Sequence, residues 1–183
     1  KAGGIPNMNA KEKLSAAIEK LLEKKELDKI TVAEIVKEAA VCRKTFYRNF
    51  TDKYALAAYY FSQFFDQTFG QITCGESFDA ALLRYLAICE SKAAVLKHAY
   101  ASSDINGLRS YDIKSTKRTY EKYLLEKGAD IHTAPMQFAI EIAARGGTDM
   151  IIEWLVRGMP EDKAELQALI KRTLPNDLLK FLE

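Results

Sequence analysis

Apolar residues recur along this chain at helical spacing, and strand-like alternation is nearly absent. Leu14, Ala17, Ile18, Leu21 and Leu22 fall three or four apart and share one helical face, behind an Asn9/Glu12 start signal. This first helix is expected to stop near Lys25. After the link Glu26–Ile30 comes Thr31-Val32-Ala33-Glu34, a capping box in which hydroxyl and carboxylate satisfy each other's backbone amides. A short second helix follows, with Val32, Ile35, Val36 and Ala39 facing inward. Ala40-Val41-Cys42 separates it from a third helix, Arg43 to Asn49 or Phe50. Thr51 or Asp52 caps a fourth, which runs to about Phe69 and is stopped by Gly70. Further helices are expected near 77–90, 92–101, 107–127, 134–157, 161–174 and 177–182. Their breakers are Gly75, Asp104-Ile105-Asn106-Gly107, Gly128, Pro135, Gly158-Met159-Pro160 and Pro175. The fourth helix carries Tyr54, Leu56, Tyr59, Tyr60, Phe61, Phe64, Phe65 and Phe69, apolar almost all round, so it must be enclosed on most sides.

The expected fold is therefore all-α, with about nine to ten helices: a three-helix N-terminal head and a larger C-terminal helical bundle. Residues 1–8 read as a flexible arm, 9–53 as the head with a helix-turn-helix at 31–50, and 54–183 as the body. No stretch approaches the roughly 18 apolar residues that span a bilayer, and Lys1–Pro6 lack the apolar core of a secretory signal, so the reading is cytoplasmic. Cys42, Cys74 and Cys89 have no paired spacing, and His98 and His132 have no second ligand at helical spacing. We expect no metal site and no cofactor. Net charge is only +2, but its distribution is uneven. Residues 1–53 hold 12 Lys/Arg against 8 Asp/Glu, whereas 54–183 hold 15 against 17. A basic head on a slightly acidic body suits a nucleic-acid-binding module.

In the segment Thr31–Phe50, Phe46 and Phe50 lie four apart and can anchor one face of the third helix. Its first turn, Arg43-Lys44-Thr45, presents donors on the other. This is the mechanical requirement for a helix that enters a DNA major groove. By patterning alone, a helical hairpin with solvated charges fits equally well.

The stretch Ile30–Leu56, with Thr31, Val41, Thr45, Tyr47, Phe50, Lys53 and Leu56 in register, resembles the head of the TetR family of bacterial transcription regulators. Two positions depart from the family pattern: Ala40 stands for the turn glycine and Cys42 for a serine. Alanine is tolerated there if φ stays negative and costs more if the left-handed region is required. The resemblance implies a sequence-specific DNA-binding regulator, a ligand-responsive homodimeric repressor on a palindromic operator in double-stranded DNA. It assigns Thr31, Thr45, Tyr47 and Lys53 to phosphates, Arg43 and Lys44 to base edges, and Arg48 to either. It also implies a body pocket for a small-molecule effector, with Phe64, Phe65, Tyr85, Cys89, Tyr100, Tyr120 and Tyr123 as candidate lining, although such residues at helical spacing are more often plain core. No buried charged group stands out as a ligand anchor.

Helices 134–157 and 161–174 read as an association surface. Gly146 and Gly147 interrupt the first, where close approach of another backbone would compensate their cost, and Ile151 and Trp154 extend its apolar surface. Leu166, Leu169 and Ile170 form a stripe on the second. This pair is similar to the family's final helix pair, which implies a homodimer. Intrachain core is the competing assignment. The helices over 77–127 also resemble the dihydroxyacetone-kinase regulators, which keeps open a TetR-like coactivator or protein-interaction module. An enzyme is disfavoured: there is no nucleophile–base pair, no phosphate-cradling glycine loop and no metal-ligand spacing.

Overall fold

A computed structural model describes residues 8–70, 76–102 and 107–182. Residues 1–7 of the expected arm, Cys74, and the breakers Gly75 and Asp104-Ile105-Asn106 lie outside the described residues. In order come α1 (Ala10–Leu22), a 3-10 turn (Leu27–Lys29), α2 (Val32–Glu38), α3 (Arg43–Asn49) and α4 (Lys53–Thr68). There follow α5 (Phe78–Ser91), α6 (Ala93–Tyr100), α7 (Leu108–Glu126), α8 (Ala134–Val156), α9 (Lys163–Arg172) and α10 (Asn176–Leu182). Among the described residues there is no strand, and the all-α expectation holds. The largest boundary shift is at α1, which ends at Leu22 rather than near Lys25.

Local chemistry sets these ends. Asn9 accepts from the Glu12 amide at 3.1 Å while the Glu12 carboxylate takes the Asn9 amide at 2.8 Å. The same reciprocal box, Thr31 with Glu34, starts α2, and Asp52 caps α4 by accepting from the Ala55 amide at 2.8 Å. At the end of α2 the amides of Val41 and Ala40 bond the carbonyls of Val36 and Lys37, a Schellman closure that places Ala40 at φ +52°. The turn therefore requires the left-handed region, and alanine occupies it at a cost that glycine would avoid.

Leu14, Ile18 and Leu22 of α1 are fully buried with Leu27, Ile35 and Phe46. Each such side chain is worth roughly 1.5–3 kcal/mol of burial. α1 also reaches the body. Gln63 donates to Ser15 at 3.0 Å, His98 Nδ1 lies 2.6 Å from the Leu22 carbonyl, and Lys92 pairs with Glu19. α4 packs against α1, α5 and α7, and along it only Asp66 and Gln67 are exposed, as its composition demands. Head and body thus share one continuous core.

α7 and α8 form the main helix pair of the body, latched by a two-bond fork from Arg109 to Asp149 and by Lys117 to Glu141 at 3.2 Å. α8 has two apolar faces. Met136, Ala139, Ile140, Ala143, Trp154 and Leu155 face inward, whereas Phe138, Ile142, Met150 and Val156 are exposed. This corrects the expected association surface. Trp154, Leu166 and Ile170 are buried inside the chain, with the Trp154 indole donating to the Glu161 carbonyl at 2.9 Å, so they offer no area to a partner. Ile151 is half-buried against the core, while Leu169 and Gly146 are exposed. Nothing lies within 4 Å of where a side chain would start at Gly146 or Gly147, so their close approach has no partner among the described residues.

Candidate nucleic-acid interface and body cavity

α3 is held by its aromatic face. Phe46 is fully buried and Phe50 nearly so, their ring centroids are 6.2 Å apart, and Phe50 meets Tyr59 of α4 at 5.4 Å. The opposite face carries Arg43, Lys44 and Arg48, all exposed. Among the described residues none of the three makes an ion pair, whereas the acids around them are neutralised from α1 and the link after it. Lys25 lies 2.6 Å from Glu34 and Lys20 lies 3.1 Å from Glu38. The Lys25 bond, helped by Thr31, holds the Glu34 carboxyl down at about 2. Unpaired cations on a pinned helix are available to phosphates and base edges.

The other expected DNA contacts differ in availability. Tyr47 is half-exposed and braced edge-on by Phe46 at 5.2 Å. Thr45 is half-buried, with its hydroxyl 3.3 Å from the sulfur of Cys42. That contact holds the Cys42 thiol below its ordinary pKa, while Cys42, at the N-cap of α3, makes no side-chain capping bond. The Thr31 hydroxyl donates to Glu34 Oε2 at 2.9 Å. Lys53 donates to the carbonyls of Asp28 and Ile30 at 2.8 and 2.9 Å, which leaves one of its three N–H groups over. Lys53 is thus first a clamp between the 3-10 turn and α4.

In the body, Phe65, Tyr85 and Tyr120 line a partly open cavity of about 40 Å³ between α4, α5, α7, α8 and α9. Phe69, Phe78, Thr116, Thr148 and Ile151 complete most of its wall, and the Thr116 and Thr148 hydroxyls lie 3.3 Å apart. Phe64, Cys89, Tyr100 and Tyr123, expected as lining, do not border it. Phe64 packs edge-on against Tyr60 and Phe61 as core, at 5.2 and 5.4 Å. An outer pocket of about 230 Å³ shares Phe65, Phe69 and Thr119 with the cavity and does reach Tyr123.

Cys89 and Tyr100 belong instead to a polar cluster around Asp112, which sequence reasoning missed. Asp112 is 2% exposed. It accepts a short hydrogen bond from the Tyr100 hydroxyl, while its Oδ1 has no partner among the described residues. Burial pushes its carboxyl up to about 7, against the pull of the Tyr100 bond, and among the described residues no cation contributes. Burial, reinforced by the neighbouring ionisable groups, likewise pushes Tyr85, Cys89 and Tyr100 up. The expectation that no buried charged group is available is therefore corrected. The signal was present: Leu108, Asp112, Thr116, Tyr120 and Leu124 fall four apart, placing a carboxylate in the buried register of α7.

An all-helical chain whose head pins a short helix across a second one, with a cationic face outward, is a helix-turn-helix protein. A family model described as bacterial regulatory proteins, tetR family, matches residues 14–60, and one described as transcriptional regulator C-terminal region, of the TetR type, matches residues 76–176. The chain belongs to the TetR family of transcription regulators, and its members are regulators rather than enzymes. Among solved structures it is similar to the dihydroxyacetone kinase operon activator DhaS, at 18% identity and a TM-score of 0.59, covering 94% of this chain and 96% of that one. It is also similar to the TetR family repressor AlkX from Dietzia sp. strain DQ12-45-1b, implicated in biodegradation of n-alkanes. There the identity is 21% and the TM-score 0.59, with 97% of this chain and 100% of that chain covered. At these identities the likeness is one of fold. No curated protein matches the chain. Among the described residues no helix is long and apolar enough to cross a membrane.

Proposed function

We propose that this regulator is a homodimeric DNA-binding repressor that responds to a small molecule. The observation that carries the DNA-binding reading is the exposure of Arg43 and Lys44 on a helix whose Phe46 is fully buried. In this reading Arg43 and Lys44 meet base edges, the arginine suited to bidentate contact with guanine. Arg48, Tyr47 and Thr45 meet base or backbone beside them, while Thr31 and Lys53 reach phosphate with what their structural bonds leave. The DNA-binding unit spans 9–53 and the regulatory body 54–183, with α4 serving both.

The association surface in this reading is the outward face of α8, Phe138, Ile142, Gly146 and Met150, together with Leu169 of α9. Phe138 is 70% exposed, and an aromatic left so open on an apolar stripe marks an interaction site. The effector reading rests on α4. Its first turn is tied to the head through Lys53, and its last turn contributes Phe65 to the cavity wall, with Phe69 just beyond it. Opening that cavity would therefore displace the element that supports α3. Activation is the second reading, since one protein of this fold is named an operon activator.

Selection of bound duplexes from a random DNA pool tests the proposal. Two inverted half-sites about one helical turn apart are expected. Recovery of no enriched sequence, or of single half-sites from a monomer, would overturn it.

A further inference from the structure

We propose that the body holds a binding site for a small organic ammonium ion, anchored by Asp112 and walled by the aromatic cavity beside it. For its regulatory meaning this rests on the ligand-responsive reading above, but its test does not. The first observation is an imbalance. A carboxylate is buried with one oxygen bonded to Tyr100 and the other, Oδ1, without a partner among the described residues. The ionisable groups around it are Tyr100 of α6, which donates to it, with Tyr85 and Cys89 of α5, whose protons its charge holds on, and none of the three can carry positive charge. Among the described residues no basic group compensates it. A buried carboxylate without a counter-charge is disfavoured unless a cation or a donor arrives.

The second observation is the cavity. Asp112 does not itself line it but stands one turn before Thr116, which does, and Tyr85 belongs to both the wall and the polar cluster, so a ligand reaches Asp112 past Tyr85 and Thr116. Phe65, Phe69, Phe78 and Tyr120 supply the rest of an aromatic enclosure, and aromatic faces attract cations. A neutral alcohol would satisfy Oδ1 without neutralising the charge, and a carboxylate would add repulsion. An alkylammonium does both tasks: its N–H groups reach the orphan oxygen, its charge offsets the carboxylate, and its alkyl part lies against the rings. At about 40 Å³ the cavity admits only a few heavy atoms, so a larger ligand must swing Phe65 and Phe69, the rings shared with the outer pocket.

The test uses the full chain without DNA, with unfolding followed through Trp154, its one tryptophan. The probes are n-butylammonium chloride, n-butanol and sodium butyrate. At pH 8 butylammonium should raise the Tm and the other two should not, and its apparent affinity should fall about tenfold at pH 6 as Asp112 takes up a proton. Asp112→Asn should abolish the ammonium response, whereas Tyr100→Phe, which keeps the carboxylate, should retain it. Equal stabilisation by butanol, no response to butylammonium, or a response that survives in Asp112→Asn would overturn the proposal, and so would its loss in Tyr100→Phe. Wild-type chain that binds butylammonium yet holds its selected operator unchanged would leave the site standing and overturn the ligand-responsive reading instead.

Discussion

The head and the body handle charge in opposite ways. Around α3 the acids are neutralised, Glu34 by Lys25 and Glu38 by Lys20, and the arginines and lysine left over face outward. In the body a carboxylate is drawn inward to 2% exposure, where one of its oxygens finds no donor among the described residues. The first arrangement is complete by itself and leaves surplus positive charge on an exposed face, as the proposed DNA contact requires. The second leaves a buried polar atom unsatisfied, the imbalance that the proposed ammonium ligand would relieve. Between them runs α4, fixed to the head by Lys53 and to the cavity wall by Phe65.

The largest effect should come from unpinning the head. Phe46→Ala removes a fully buried ring, which should cost about 3–5 kcal/mol in chemical denaturation and abolish DNA binding with it. A loss of binding without a loss of stability would mean that Phe46 does not serve as the anchor. Next comes the buried carboxyl. Its folded pKa of about 7 lies above the unfolded value near 3.9, so the folded chain keeps a proton that the unfolded chain sheds in between. Stability should accordingly decline from about pH 4 to pH 7 and then level off. Asp112→Asn should remove that decline and gain up to roughly 4 kcal/mol above pH 7, and a variant whose stability keeps the same pH slope would contradict this.

Smaller effects sharpen the picture of the head. Arg43→Ala should cost about 1–3 kcal/mol on the preferred duplex and relax base preference at one position, as competition binding against single-base variants would show. Unchanged selectivity would remove Arg43 from base reading. Ala40→Gly should stabilise by about 1 kcal/mol in thermal unfolding, because the turn holds residue 40 at φ +52°. No gain would mean that the turn tolerates alanine without strain.

Legibility in the sequence followed the range of the interactions. Capping boxes, the Phe46/Phe50 spacing and the helix order are local, so they could be read three or four residues at a time. The φ required at Ala40 was the open half of a choice that only the turn's hydrogen bonds could decide. Lys53 is held by carbonyls of Asp28 and Ile30, groups that every residue has and no pattern reveals. On α8 both faces are apolar, so periodicity could not say whether Trp154 or Phe138 lies inside. Asp112 was visible as a polar residue in a buried stripe, but its meaning depends on Tyr85, Cys89 and Tyr100, which come from two other helices.

The central claim is that a rigidly held α3 presents Arg43 and Lys44 to DNA. The most direct test is to titrate wild-type chain and the Arg43→Ala/Lys44→Ala double variant onto a selected duplex and a scrambled one. The titrations would run across about 50–200 mM salt, where a phosphate-contacting interface loses affinity by orders of magnitude. The account predicts a steep salt dependence and a clear preference for the selected duplex in the wild type, with the preference lost and the slope reduced in the variant. A flat salt response, or a double variant that still prefers the selected duplex, would contradict it.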